Sequence, residues 1–319
     1  MVPRDRRRLC HRSRPLTTVH TVHDFWIRPA RPADDAAVRA IAAADGARGP
    51  RLDDPLTQVA LVGGQVVGFG RIEWWEESDG TRLYLLSGAV DPARRRRGLG
   101  RRLLAAQEVR AAAHWNAQPG PGHPMLGANA DESRPDRLAL ITEAGYRVRF
   151  TLVDLERSTA GAEDRPLPDG LELRPVEEDH HPQIHAAILT CFARHGLGFT
   201  KQSYADYRED VRDTDLWLVA WDAEGIAALV LNERRKDGSA DTPWVAVLPR
   251  RRRQGLAQIL LHRSLRLLAA QGIERATIRT TRENPDRTVE LYEKCGYRVT
   301  GLLPRYAKPL RGDEPPGQH

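Results

Sequence analysis

The chain has 319 residues, 29% of them charged and 40% hydrophobic, a globular composition at a length suited to about two domains. Three cysteines occur, Cys10, Cys191 and Cys295, at spacings that fit neither a bridge framework nor a paired zinc clamp; a disulfide scaffold is excluded and a reducing cytoplasm is expected. The net charge of +6 is uneven, since residues 1–24 carry six arginines against Asp5 and Asp24, and no apolar run approaches the ~20 residues of a membrane span.

The arginine-rich head, 1–24, lacks the apolar stretch of a secretory signal and reads as a disordered extension. From residue 25 a short strand leads into an amphipathic helix over 36–44, and apolar runs at 59–62, 66–72 and 83–90 read as strands. The last of these ends in Val90-Asp91-Pro92. An arginine run, Arg94 to Arg97, and Gly98-Leu99-Gly100 then open a helix whose Leu99, Leu103, Leu104, Ala106 and Val109 recur at helical spacing. Pro135-Asp136-Arg137 and Gly145-Tyr146-Arg147-Val148 follow, and 157–170, with two prolines and two glycines, reads as a linker.

Beyond the linker the same landmarks return in the same order. Leu173-Arg174-Pro175 answers Ile27-Arg28-Pro29, a helix is expected over 183–193, and strands over 216–221, 226–231 and 244–247. Val247-Leu248-Pro249, Arg250 to Arg253 and Gly255-Leu256-Ala257 repeat the glycine loop 157 residues after its first occurrence. A helix carrying Leu256, Ile259, Leu260, Leu267 and Leu268, a strand at 276–280, Pro285-Asp286-Arg287 and Gly296-Tyr297-Arg298-Val299 complete the parallel. Such an ordered recurrence means two copies of one domain, expected at 25–156 and 171–310, with 311–319 a loose tail. Of the 49 basic residues 45 are arginine, a mark of GC-rich coding, and no basic, aromatic-interleaved stripe is present, so no nucleic-acid partner is expected.

A strand ending in Val-x-Pro, followed by glycines at the start of a helix, has a physical purpose. Glycine permits positive φ and close backbone approach, and the first helical turn presents unpaired N–H groups at the positive end of the dipole. That arrangement favours a pyrophosphate, although the spacing is neither that of a P-loop nor of a dinucleotide fingerprint. Arg95-Arg96-Arg97-Gly98-Leu99-Gly100 and Arg252-Arg253-Gln254-Gly255-Leu256-Ala257 both resemble the Arg/Gln-x-x-Gly-x-Gly/Ala signature of the GNAT family of acyl-CoA-dependent N-acyltransferases. The resemblance implies an α/β fold of two tandem GNAT-like domains, each a mixed, centrally splayed β-sheet flanked by helices. It implies acetyl-CoA as co-substrate, bound at Val90 with the first loop and Val247 with the second, with Asn284 meeting the cofactor arm and Asn129 its rough counterpart. One or two arginines of each run are expected to touch phosphate and the others to face solvent.

Acyl transfer to an amine asks for a neutral nucleophile, a polarised carbonyl and a proton for the departing thiolate. In the family a Tyr four residues before the Gly of Gly-Phe/Tyr commonly supplies that proton; Tyr292 stands so before Gly296, whereas Ile141 stands before Gly145. Asp241, six residues before Val247, is the candidate base, with Tyr84 in the equivalent place of the first copy; capping the turn at 237–241 is its alternative role. The C-terminal copy is therefore expected to be catalytic and the N-terminal copy degenerate. The arrangement is similar to the mycothiol synthases, a tandem branch of the family, but Ala228-Leu229-Val230-Leu231-Asn232-Glu233 is apolar where that branch carries a polar stretch, so the acceptor is expected to differ. The expected activity is direct acetyl transfer to a primary amine of a small molecule by a monomer or dimer, without metal or membrane. A non-catalytic CoA-binding tandem module and a protein N-acetyltransferase are the alternatives. His181 and His185, at i, i+4, are expected in a surface or capping role rather than on zinc. Phe192, His195, Phe199, Tyr204 and Tyr207 are either an acceptor wall or core, and Cys295 a buried small side chain.

Overall fold

The computed structural model describes residues 24–47, 49–130, 132–192 and 198–310. The expected head up to residue 23, the tail 311–319 and His195 lie outside them.

The first copy comprises β1 (Phe25–Pro29), α1 (Asp35–Asp45), β2 (Gln58–Val62), β3 (Gln65–Glu76), β4 (Arg82–Val90), α2 (Leu99–Ala117), β5 (Pro124–Asn129), α3 (Pro135–Glu143) and β6 (Arg147–Ser158). The second repeats the order with one added helix, α5: β7 (Glu172–Leu173), α4 (His181–Phe192), α5 (Tyr204–Asp210), β8 (Leu218–Asp222), β9 (Gly225–Arg234), β10 (Ala240–Val247), α6 (Leu256–Ala270), β11 (Arg275–Thr281), α7 (Thr288–Lys294) and β12 (Arg298–Pro309). Local chemistry explains the boundaries. Helix α1 buries Val38, Ile41 and Ala42 at helical spacing and stops at Gly46, whose φ of 65° closes a left-handed C-cap. Helix α5 begins at a Ser203–Asp206 capping box that the apolar pattern alone does not reveal.

The splayed, mixed sheets of the two copies are one continuous sheet of twelve strands, in the order β1-β2-β3-β4-β5-β12-β6-β11-β10-β9-β8-β7. The last strand of each copy has crossed over: β12 pairs with β5, β6 pairs with β11, and the two pair with each other. Neither copy therefore completes its own sheet.

Alternation along the strands assigns the faces. Helix α1 packs on Val59, Leu61, Phe69 and Ala89, and α4 on Val219, Trp221, Leu229 and Leu231. Helix α2 packs on the intervening Ala60 and Val67, and α6 on Ala220, Ala228 and Val230. Strands β6 and β12 carry this alternation across the seam, with Val153 and Leu155 on the α6 face and Tyr306 on the α2 face. Helices α2 and α6 thus share one face of the sheet, and α1 and α4 the other. Among the described residues no helix is long and apolar enough to cross a membrane.

Candidate active site

Both glycine loops adopt the same backbone. Arg96 and Arg253 have φ of 61° and 64°, and Gly98 and Gly255, the N-caps of α2 and α6, have φ of 76° and 72°. A Cβ at either glycine would meet open space, so the left-handed conformation, not crowding, is what calls for glycine. In each loop the arginine that opens the six-residue signature folds back on the preceding strand: Arg95 Nε donates to the Val90 carbonyl at 3.1 Å and Arg252 Nε to the Val247 carbonyl at 3.2 Å. Leu99 and Leu256 are buried and anchor the helices, while Gly100 and Ala257 sit half-buried one residue on. No side chain caps either helix, which leaves first-turn N–H groups for an anion.

The strands that frame the loops diverge. In the first copy β4 and β5 pair in parallel from Arg82/Pro124 to Leu86/Ala128, and β4 continues alone to Val90. In the second, β10 and β11 pair only at Ala240/Ala276 and Asp241/Thr277, and β10 bulges between Asp241 and Trp244. A cleft of about 650 Å³ fills the first fork, lined by Leu86, Gly98, Gly100, Asn129 and Ile141 among others. Its mouth is basic: Arg95, Arg134 and Arg137 all converge on Asp45, whose side chain is 2% exposed. The sequence landmark Pro135-Asp136-Arg137 marked this helix start but not its role.

The remaining arginines of the runs divide between partners and solvent. Arg96, Arg97, Arg253 and Gln254 are exposed. Arg250 and Arg251 clamp the buried Asp222, and Arg252 lies 3.7 Å from Asp286. Asn284 fixes the turn before α7, its Oδ1 accepting from Asp286 N at 2.9 Å. Asn129, by contrast, ends strand β5 itself, so the two asparagines do not hold equivalent places.

Asp241 stands at the point of the second fork. Its neighbours Ala240 and Thr242 face α6, so its own side chain faces α4. Thr277 Oγ1 donates to Asp241 Oδ1 at 2.9 Å and Arg235 pairs with Oδ2 at 2.9 Å. The turn at 237–241 is capped instead by Asp237, which accepts from Ser239 N and Oγ. Tyr292 lies on the opposite face, 5% exposed, among Ile278, Cys295 and Tyr297. Burial raises the pKa of its hydroxyl, and among the described residues that hydroxyl has no hydrogen-bond partner. Ile141, its counterpart, lines the first cleft. Tyr84, the counterpart of Asp241, is fully buried and bonded to His114 Nδ1 at 3.0 Å.

The expected aromatic wall separates into two groups. Phe192 and Phe199 gather round Trp244, with ring centroids 5.0 and 6.3 Å from it. Tyr204 and Tyr207 pack with His185 and His181. The expectation of a surface or capping role for His181 is corrected: it is 4% exposed, with Nδ1 2.9 Å from the Tyr207 hydroxyl, and His185 Nε2 lies 2.9 Å from the Gln202 carbonyl. Burial lowers the pKa of His181, so its imidazole is neutral at pH 7. Cys295 is buried, its thiol pushed up to about 11 chiefly by desolvation.

Two family models match the chain. "Acetyltransferase (GNAT) family" covers residues 20–118 and "Acetyltransferase (GNAT) domain" residues 213–299. A mycothiol acetyltransferase of Clavibacter michiganensis is 32% identical over 69% of this chain and 70% of its own length. The chain belongs to the GNAT family of acetyltransferases. It is an acyltransferase whose tandem arrangement resembles mycothiol synthase. A mycothiol acetyltransferase of Kineococcus radiotolerans is 30% identical over 72% of this chain and 73% of its own length. Among solved structures, a GCN5-related N-acetyltransferase from Sphaerobacter thermophilus has a TM-score of 0.65 at 19% identity, covering 93% of this chain and 98% of its own. A tandem GNAT protein from the clavulanic acid biosynthesis pathway has 0.59 at 17%, covering 91% and 100%. These likenesses carry the fold.

Proposed function

We propose that the chain transfers acetyl from acetyl-CoA to a primary amine of a small molecule, and that the second copy does the chemistry. One observation carries the proposal: the fork between β10 and β11 opens directly beyond Asp241 and Thr277, with a carboxylate on the α4 face and a phenol on the α6 face. Base and acid on opposite sides of one fork suit a reaction in which the amine arrives from one face and the thiol leaves towards the other.

In this reading the loop N–H groups of Gly255 to Ala257 hold the pyrophosphate and the pantetheine lies between the diverging strands. The amine nitrogen attacks the thioester carbonyl, its proton passes to Asp241 directly or through one water, and the carbon–sulfur bond breaks as Tyr292 protonates the thiolate. Thr277 and Arg235 orient the Asp241 carboxylate as an acceptor. The raised Tyr292 pKa keeps the phenol protonated at neutral pH, as an acid must be. The first copy, with Ile141 and Tyr84 in the corresponding places, binds CoA without turnover. The division into 25–156 and 171–310 follows the same reading.

The relatives' name puts the amine precursor of mycothiol at the head of the acceptors to try. The apolar strand that argued for a different acceptor is fully buried from Ala227 to Val230 and packs against helices on both faces, so it faces no acceptor. The test is CoA release from acetyl-CoA with a panel of small amines and of peptides. Turnover of small amines supports the proposal. Acceptance only of peptide N-termini or lysines, or CoA binding with no turnover of any amine, overturns it.

A further inference from the structure

Two residues of the second copy, Gly198 and Phe199, lie across the second fork on its α4 face. The Phe199 ring sits beside Trp244, with centroids 6.3 Å apart, and the Phe150 ring lies against Gly198, where a Cβ would come within 2.9 Å of it. Trp244 belongs to β10, three residues beyond Asp241. Phe150 belongs to β6, two residues before Leu152, which is registered opposite Thr281, and Thr281 lies four residues beyond Thr277. The two strands run antiparallel, so both contacts fall on the open side of the Asp241/Thr277 pair. Strand β11 separates β10 from β6, which sets them about 10 Å apart at ordinary interstrand spacing. Gly198 and Phe199 thus bridge the diverging strands on the face that Asp241 occupies.

The first copy holds this bar. Gly198 N donates to Glu77 Oε2 at 3.3 Å, and Ser78 N donates to the Phe199 carbonyl at 2.8 Å. Arg149, from the bulge of β6 between Val148 and Phe150, pins the same Glu77 oxygen at 2.8 Å, and the Glu77 side chain is 1% exposed. Glu77 Oε1, Ser78 Oγ and Arg149 Nη1 are nonetheless buried without hydrogen-bond partners. A cluster that leaves three buried polar atoms unsatisfied adds little to stability, so a carboxylate buried there is explained by what it holds. The corresponding turn of the second copy, 235–239, is bonded inside its own copy: Asp237 accepts from Ser239 and from Arg275, each at 2.6 Å, and Arg235 pairs with Asp241. Among the described residues the hold runs one way, from the first copy to the second fork.

Resting on the function proposed above, we propose that Glu77 is a specificity-determining positioning residue of the second fork. By fixing Gly198 and Phe199 across it, the first copy limits the width of the amine that reaches Asp241. Glycine at 198 lets the backbone come this close, at φ 73° and with Phe150 in the place of a Cβ. The acceptor class is a primary amine on an unbranched carbon, slim near the nitrogen, with any bulk carried farther out. The first copy thereby shapes the reaction without turnover of its own.

The experiment uses the full chain and two primary amines of similar basicity and different width, hexylamine and adamantan-1-ylmethylamine. Wild type is expected to favour hexylamine in kcat/KM by at least about 10-fold. Glu77→Ala should cut that ratio at least about fivefold through a lower KM for the wide amine. Glu77→Gln, which keeps an acceptor for Gly198 N, should retain the ratio. Phe199→Ala, which leaves the first copy intact, should cut it as Glu77→Ala does. Equal use of the two amines by wild type overturns the proposal. A Glu77→Ala chain that loses both amines alike also overturns it, because a merely structural part gives that result. Calorimetry of the CoA-loaded chain with N-hexylacetamide and N-(adamantan-1-ylmethyl)acetamide reads the same ratio without catalysis. If no amine is turned over, the proposed activity fails, and the binding ratio alone decides the role of Glu77: wild type that binds both products alike, or neither, overturns it.

Discussion

The two glycine loops share a backbone and differ in what surrounds it. Around the first, Arg95, Arg134 and Arg137 gather on one buried aspartate at the mouth of an apolar cleft. Around the second, Arg250 and Arg251 turn away to Asp222, and the fork instead holds Asp241 and Tyr292. A duplicated binding element can thus keep its main-chain geometry, which depends on a few positive φ angles, while the side chains around it diverge.

The sharpest break of that comparison is a pair of loop variants. Gly255→Glu places a side chain at φ 72° and a negative charge at the phosphate mouth, and should lower turnover at least about 100-fold. Gly98→Glu should remove one equivalent of bound CoA in calorimetry and leave turnover within about threefold. The reverse result would make the first copy the catalyst.

Tyr292→Phe should lower kcat by about 100-fold with acetyl-CoA affinity unchanged. An unaltered kcat from pH 6 to 9 would return Tyr292 to the core it packs in. Asp241→Asn should cost roughly 10- to 100-fold in kcat/KM with acetyl-CoA affinity unchanged. An undiminished kcat/KM would assign the base elsewhere.

The smallest effect concerns the arginine clamps. Burial alone would raise the pKa of Asp222, but hydrogen bonds from Arg250 and Arg251 outweigh it and bring the group down to about 2. A carboxyl held below its unfolded value stabilises the fold above that unfolded value and loses the contribution as pH falls through the folded one. Asp222→Asn should therefore lower Tm by about 2–4 °C at pH 7, and the gap from wild type should close between pH 4 and 2. A gap independent of pH in acid would show that packing, not charge, explains the loss.

Much of this was legible in the chain. The loops were, because Gly98 and Gly255 act through local backbone conformation and recur in matching context. Tyr292 and Asp241 were located by counting from neighbouring motifs, but their opposite faces emerged only with the packing of Ile278, Ala240 and Thr242. Arg134 and Arg137 escaped notice because Asp45, their partner, lies about 90 residues away in sequence. His181 read as a surface residue because Tyr207, which shares its buried hydrogen bond, belongs to a helix revealed by a cap rather than by periodicity.

The sequence by itself determined the duplication, the element order and the two anion-ready loops, since each rests on interactions within a few residues. Tertiary structure decided which strand completes which copy. Strands β6 and β12 carry similar patterns, and either sheet edge offers the same main-chain donors and acceptors, so the exchange is chosen by long-range pairing. That choice brings Asp154 of the first copy to Arg279 of the second.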